Sequence, residues 1–294
     1  MVKPDFVASA AQLACLLEVS AAKPGNVSPG QHFHDTRYED FLASAAAVGP
    51  AFALAGECPI GASVLAAVRA TLYWTDANTN LGIVLLFAPL ARAALVGAHD
   101  TPLRERVAAV LSATTVLDAT DVYAAIRLAG PGGLGRAPEQ DVSEPPTATL
   151  REVMSLARDR DRVAREYATD FATTFDIGVP TLERARRDGL HWDAATLETF
   201  LTLLASAPDS HIARKLGLPA ASVICRAAQS AVAAGGVRTE AGRAEIETLD
   251  RSLRDPANSG NPGTTADLTA ATLFAALLGG AWRHPSDYRH GATR

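Results

Sequence analysis

Apolar residues recur three and four positions apart along most of the chain, rather than in strict alternation, and this pattern predicts helices, not strands. The segments that carry it are 6–20, 38–48, 60–73, 103–112, 121–129, 150–175, 194–205, 220–234 and 266–278. Many are rich in alanine, which loses no side-chain entropy when the backbone becomes helical. The longest apolar run, 81–97, contains Pro89 and Arg92. It falls short of the roughly 20 apolar residues that span a membrane, so it is expected as a buried core helix. About ten helices joined by short turns marked by Pro and Gly predict an all-α fold.

One stretch breaks the pattern. Residues 135–149 contain Pro138, Pro145 and Pro146, which cannot continue a helix, and are expected as a surface loop. The same helical pattern resumes at Leu150, so the expectation is a single compact domain over 1–294.

Composition removes several function classes. With 48% hydrophobic and 20% charged residues in 294, the chain has the material for a large core and is not disordered. A net charge of -5 and a pI near 5.8 lack the basic footprint of a nucleic-acid binder. Small anionic substrates are still compatible, because a few convergent cations set the potential of a cleft. Cys15, Cys58 and Cys225 are far apart and in no metal-ligand spacing, as expected for reduced thiols. The N-terminal residues lack the basic-then-apolar order of a signal peptide, so a cytoplasmic protein that binds neither nucleic acid nor membrane is expected. A homodimer is compatible with everything in the sequence.

Candidate chemistry concentrates in a few loops and helix ends. Gly130-Pro131-Gly132-Gly133-Leu134-Gly135 matches G-x-G-x-x-G, yet a helical pattern precedes it and a proline-rich loop follows. The dinucleotide fingerprint needs a strand before and a helix after, so these glycines are expected to end a helix instead. Lys23-Pro24-Gly25-Asn26-Val27, followed by His32, His34 and Asp35, places polar groups in a loop between two helices. His32 and His34 are two apart and point the same way in an extended segment, with Asp35 beside them as a candidate ligand of metal or phosphate. The 27 basic residues comprise 24 arginines and only Lys3, Lys23 and Lys215. A compact ammonium differs from the arginine fork in how it approaches phosphate, which singles out Lys23 and Lys215.

Asn78-Thr79-Asn80 precedes the apolar run, where one side chain should cap the helix and the free N–H groups can also bind an anion. Residues 209–217 read as a short helix capped by Asp209 and ended by Gly217, with Arg214 and Lys215 in its last turn. Asn261-Pro262-Gly263-Thr264-Thr265-Ala266-Asp267 opens the last helix, and Thr264 with Asp267 has the spacing of a capping box.

Taken in order, Lys23-Pro24-Gly25, Gly30-Gln31-His32, Asn78-Thr79-Asn80-Leu81-Gly82 and the run from Asp209 through Arg214 to Gly217 resemble the triphosphoribosyl-dephospho-CoA synthase family. The resemblance spans about residues 12–280. It implies an enzyme in which a hydroxyl of 3'-dephospho-CoA attacks the anomeric carbon of ATP and adenine departs. Mg²⁺ and the bases Lys23, Arg127, Arg214 and Lys215 would then hold the triphosphate. Asp35, Asp121 and Asp209 would hold the metal and offset the charge growing on the sugar, Asp121 and Asp35 counting among the catalytic groups. His32 or His34 would take the acceptor's proton. Pro24, Gly25, Asn26, Asn78, Thr79, Asn80, Gly132, Gly133, Asn261 and Asp267 complete the expected substrate contacts.

Family members of the citrate-lyase type read N-T-H-K-G where this chain has Asn80 and Leu81, so the acceptor is expected to differ. The wording around Asp35-Thr36, Pro131 to Gly135 and Asn261 to Asp267 looks more like a branch of methanogens and tetrahydromethanopterin-using methylotrophs. By chemical analogy, that branch would transfer phosphoribose to a ribitol-bearing pterin precursor. Two other classes compete on the residues alone: a Mg²⁺-dependent nucleotide or ADP-ribosyl hydrolase, and a non-catalytic helical binding protein.

Overall fold

A computed structural model describes residues 2–98 and 100–282. Those residues form helices and turns, with an isolated antiparallel bridge between Ser28 and Gln31 and no strand among them. Proline at the start of α1 (Pro4–Ser20) removes an N–H that would have had no partner there. Then come α2 (Tyr38–Ala47), α3 (Gly49–Ala53), α4 (Ile60–Leu72), α5 (Leu81–Leu95) and α6 (Leu103–Ser112). α7 (Val116–Ala129) opens with a capping box in which Thr115 and Asp118 satisfy each other's backbone N–H. Thr149 and Glu152 do the same for α8 (Leu150–Ala157), which ends the loop exactly where the helical pattern returns. The chain continues through α9 (Arg162–Ala168), a π-helical turn at Thr173–Gly178, α10 (Val179–Arg187), α11 (Trp192–Ser206), α12 (Ser210–Leu216), α13 (Leu218–Ala233), α14 (Glu240–Leu253) and α15 (Gly263–Leu278).

α5 and α15 form the centre, and both are buried on nearly every face. The rings of Phe87 and Phe274 stack at 4.4 Å between them, with Phe52 of α3 against both. α1 packs on α15, α4 on α7, and a smaller cluster around Phe200, Ile246 and Leu253 joins α11, α13 and α14. The helices surround one compact body, and no single helix among the described residues is long and apolar enough to cross a membrane.

Two expectations need correction. There are more helices than about ten, because α3 is only five residues long and α10 and α14 are polar overall, so no apolar-rich run marks them. The expected helix at 150–175 is also three elements. Asp161 accepts hydrogen bonds from the N–H groups of Val163 and Ala164, which starts α9 afresh. Asp170 and Phe171 then take φ of 52° and 59°, while buried Glu166 accepts from the Thr173 and Thr174 backbone and so holds the π-turn.

Candidate active site

The turn after α1 is built from the inside. On α1, Val7, Ala11, Ala14 and Glu18 share the buried stripe, so a carboxylate lies where an apolar side chain is expected. Lys23 answers it: its Nζ lies 3.0 Å from Glu18 Oε1 and donates to the carbonyls of Glu18 and Ala21. An ammonium has three N–H groups, and these partners occupy them. Gly25 follows Pro24 with φ of 72°, and its N–H donates to Asp250 Oδ1 at 2.8 Å. A Cβ there would stand 2.9 Å from Leu253 Cβ. Lys23-Pro24-Gly25 therefore ties α1 to α14 and delivers Asn26, whose Nδ2 reaches Asn261 Oδ1 at 2.5 Å.

Asn26 lines a cleft of about 780 Å³, a volume typical of small-molecule sites. One wall is apolar and comes from α7, α8 and α9, with Val122, Ile126, Val153, Met154 and Val163. The other is polar. It combines Asn26, the start of α5 with Asn78, Thr79, Asn80 and Gly82, the α12 residues His211, Arg214 and Lys215, and the start of α15 with Asn261 and Asp267. Asn78 Oδ1 accepts from Leu81 N at 3.3 Å, while Asn80, the N-cap residue, bonds Thr71 and leaves the helix uncapped by its own side chain. The first turns of two long helices, α5 and α15, thus face one cavity, an arrangement that favours an anion.

The expected site residues divide into three groups. Asn26, Asp35, Asn78, Thr79, Asn80, Gly132, Arg214, Lys215, Asn261 and Asp267 line the cleft. Lys23, Pro24, Gly25 and Asp209 lie behind its wall. Asp209 is wholly buried, one oxygen accepting from the N–H groups of His211 and Ile212 and the other from the N–H and hydroxyl of Thr265. It caps α12 as expected and also fastens that helix to α15, so its lone pairs are taken and it is not placed to hold a metal.

His32, His34, Asp121, Arg127 and Gly133 lie outside the lining. His32 and His34 are bonded elsewhere: His32 Nδ1 accepts from Tyr38 N, and exposed His34 contacts Asn258, itself a lining residue. Phe33 and Asp35 line the cleft instead, at a turn closed by Phe33 N donating to Thr36 O. Arg127 is exposed and donates to Val142 O at 2.6 Å, and Tyr123 Oη donates to Gln140 O at 2.5 Å. These bonds strap the 135–149 loop over the apolar wall. Among the described residues no three His, Cys, Asp or Glu side chains converge as a metal ion needs, and Asp35, Asp121 and Asp209 do not meet. Thr264 and Asp267 form no capping box, since Thr264 accepts from Ser210 and Asp267 faces the cleft.

Glu18, Gly82, Asp161 and His211 were missed as cleft residues. The charge of Glu18 on an apolar stripe was the available signal. Asp161 pairs with Arg214 at 2.6 Å across the polar wall. His211 carries a buried Nε2 without a partner among the described residues, and burial, reinforced by Lys215, pulls its pKa down from 6.5 to about 4. A lowered pKa means that its contribution to stability is full above pH 6.5 and is lost as pH falls through about 4. Urea midpoints are expected to drop across that window in the parent and less in His211→Gln. Equal pH slopes would clear His211 as the cause.

The all-helical body and its mixed cleft have a defined family. The model described as CitG, ATP:dephospho-CoA triphosphoribosyl transferase, matches residues 4–286, and the chain belongs to that family. Among particular relatives, a protein of Pseudomonas savastanoi pv. phaseolicola assigned as a 2-(5''-triphosphoribosyl)-3'-dephosphocoenzyme-A synthase is 30% identical over 149 residues, covering 44% of this chain and 50% of the relative. The synthase of that name from Klebsiella pneumoniae is 31% identical over 118 residues, 40% of this chain and 41% of the relative. The chain thus matches half or less of the length of these curated relatives. A crystal structure from Archaeoglobus fulgidus, assigned as a triphosphoribosyl-dephospho-CoA synthase, superposes with a TM-score of 0.64 at 31% identity, covering 82% of this chain and 100% of that one.

Proposed function

We propose that the cleft transfers a triphosphoribosyl group from ATP to the hydroxyl of a cofactor precursor, of which 3'-dephospho-CoA is the first to test. The observation that carries this reading is the two-sided cavity: an apolar wall suited to a purine faces a polar wall where the starts of α5 and α15 join Lys215. Lys215 is exposed at the mouth and has room for a phosphate, while Arg214 is held by Asp161 and steadies the wall. Asn26 and Asn261 stand beside both helix starts and are placed to orient a ribose. Family membership supports the same donor and acceptor classes. The expected carboxylates do not fit a Mg²⁺ site, so the metal belongs to the reading only as the nucleotide's own counter-ion. The same reading takes the protein to be a cytoplasmic enzyme folded as a single functional domain.

The acceptor has a second reading because Leu81 lines the cleft where citrate-lyase-type members carry lysine. An acceptor with less negative charge near that position, such as a ribitol-bearing pterin precursor, then competes with dephospho-CoA, in keeping with the methanogen and methylotroph branch. Purified protein with ATP and each acceptor in turn is expected to release adenine and give a product heavier by a triphosphoribosyl unit. Adenine release with dephospho-CoA alone would remove the pterin acceptor. Release with neither, together with turnover of phosphoribosyl pyrophosphate, would overturn ATP as donor.

A further inference from the structure

The carboxylates around the cleft are nearly all committed. Glu18 is paired with Lys23, Asp161 caps α9 and grips Arg214, and Asp141 accepts from Ala137 N and from Ser143. Asp35 and Asp76 stand on the exposed rim. Asp267 differs from all of these: it is sheltered in the wall, lines the cavity, and has neither a hydrogen-bond donor nor an ion pair among the described residues.

Its place is set by close packing. Asp267 lies one turn into α15, with its carboxyl against the backbone of Gly82 in the first turn of α5, so closely that a Cβ at residue 82 would overlap it. Every element around it contributes charge of known sign. α1 brings Glu18, the Lys23 bonded to it, and the buried Cys15 thiol, which burial keeps protonated. The α9 cap contributes Asp161, and α12 contributes Asp209, the neutral His211, Lys215 and Arg214. The start of α5 pulls toward an anion, but two of the three cations are already bonded to carboxylates and Glu18, Asp209 and Asp161 surround residue 267, so a neutral acid is favoured there. Burial foremost, then Glu18, Asp209 and Asp161, pushes its pKa well above the ordinary carboxylate value, against the weaker pull of Arg214.

We propose that Asp267 is the general acid of the transfer, giving its carboxyl proton to the departing base. This rests on ATP being the donor. As the bond from the anomeric carbon to adenine breaks, its electron pair goes to the purine, and the Asp267 proton is taken by a ring nitrogen, so that neutral adenine leaves. The acceptor's hydroxyl oxygen bonds to the anomeric carbon. Its proton passes to water, and water restores the Asp267 carboxyl before the next turnover. No oxidant, reductant or further reactant is needed.

The test uses the full chain and two donors, ATP and an N7-methylpurine nucleoside triphosphate whose base departs without needing a proton. Asp267→Asn is expected to lower kcat on ATP by about 10²–10⁴-fold with KM for ATP little changed. On the N7-methyl donor most of that loss should disappear. Parent kcat on ATP should fall as pH rises through the Asp267 pKa, because the acid form is required, and the limb should be absent in Asp267→Asn. Equal losses on both donors, or a loss confined to KM, would overturn the proposal. Should Asn at 267 impair folding, Asp267→Glu is read instead: it keeps an acid, so it should retain activity on ATP with a displaced pH limb, and an unmoved limb would overturn the assignment. A parent that releases no adenine from ATP with any acceptor would count against the donor, and that result is distinct because it appears before any variant is made.

Discussion

Lys23→Met is expected to destabilise the protein by about 3–5 kcal/mol, because it leaves the Glu18 carboxylate buried without its counter-charge. Both side chains are almost fully buried, at 1% and 5% exposure, so solvent screening offers little relief. The conspicuous lysine of Lys23-Pro24-Gly25 acts first through the fold: it answers a charge that α1 places on its own apolar stripe. The loss should depend on pH in a definite direction. Burial raises the Glu18 pKa and Lys23 lowers it, with burial the larger cause. Removing Lys23 moves the folded pKa further up, so the variant's deficit should be small below Glu18's unfolded pKa and grow as pH rises through its folded pKa. Glu18→Gln in the same chain should recover much of the loss, as replacing both members of a buried pair often does. Urea unfolding of the two single variants and the double variant at pH 5 and pH 8 measures all of this. A Lys23→Met protein of parental stability that no longer binds ATP would show the ammonium acting on phosphate instead.

That case also shows what was legible in the residues. Helical periodicity follows from burying one stripe of each segment, so the all-α class and the central α5 and α15 could be read directly. The breaks between α8, α9 and the π-turn could not, because they depend on where Asp161, Glu166 and Asp170 direct hydrogen bonds, and periodicity carries no such information. The short α12 was legible because Asp209 and Gly217 are local signals at its two ends. The cleft was half legible. Motif residues on helix starts, Asn78 to Asn80 and Asn261 to Asp267, do reach it, since a helix start presents side chains and N–H groups in a fixed direction. His32 and His34 lie outside the lining for an equally local reason: the segment turns at 33–36, where Phe33 and Asp35 reach the cleft and the two histidines bond Tyr38 N and Asn258. Asp209 had a capping role in view from the start, but its second pair of donors comes from Thr265, 56 residues along, which only tertiary structure reveals.

Gly82→Ala is expected to cost more than about 10²-fold in adenine release, because a displacement of about 1 Å at a reacting group is enough for such a loss. In an exposed helix the change would be favourable, since alanine is the better helix former. Here the added methyl would overlap the Asp267 carboxyl, and one of the two must move. α5 is buried along nearly its whole length and locked to α15 through Phe87 and Phe274, so its first turn is not free to shift. The Asp267 carboxyl is held by no bond among the described residues, and it is the part that yields. The two positions should therefore be strongly non-additive. Alone, Gly82→Ala should lower both activity and Tm; in an Asp267→Ala background, where the space is vacant, it should leave Tm unchanged or raised and cost no further activity. Thermal melts and adenine-release rates for the two single variants and the double variant decide it. Additive losses would mean that Gly82 is needed for the approach of substrate to the α5 backbone. Non-additive losses tie the glycine of Asn78-Thr79-Asn80-Leu81-Gly82 to the aspartate at the start of α15 as one unit, assembled from segments 185 residues apart.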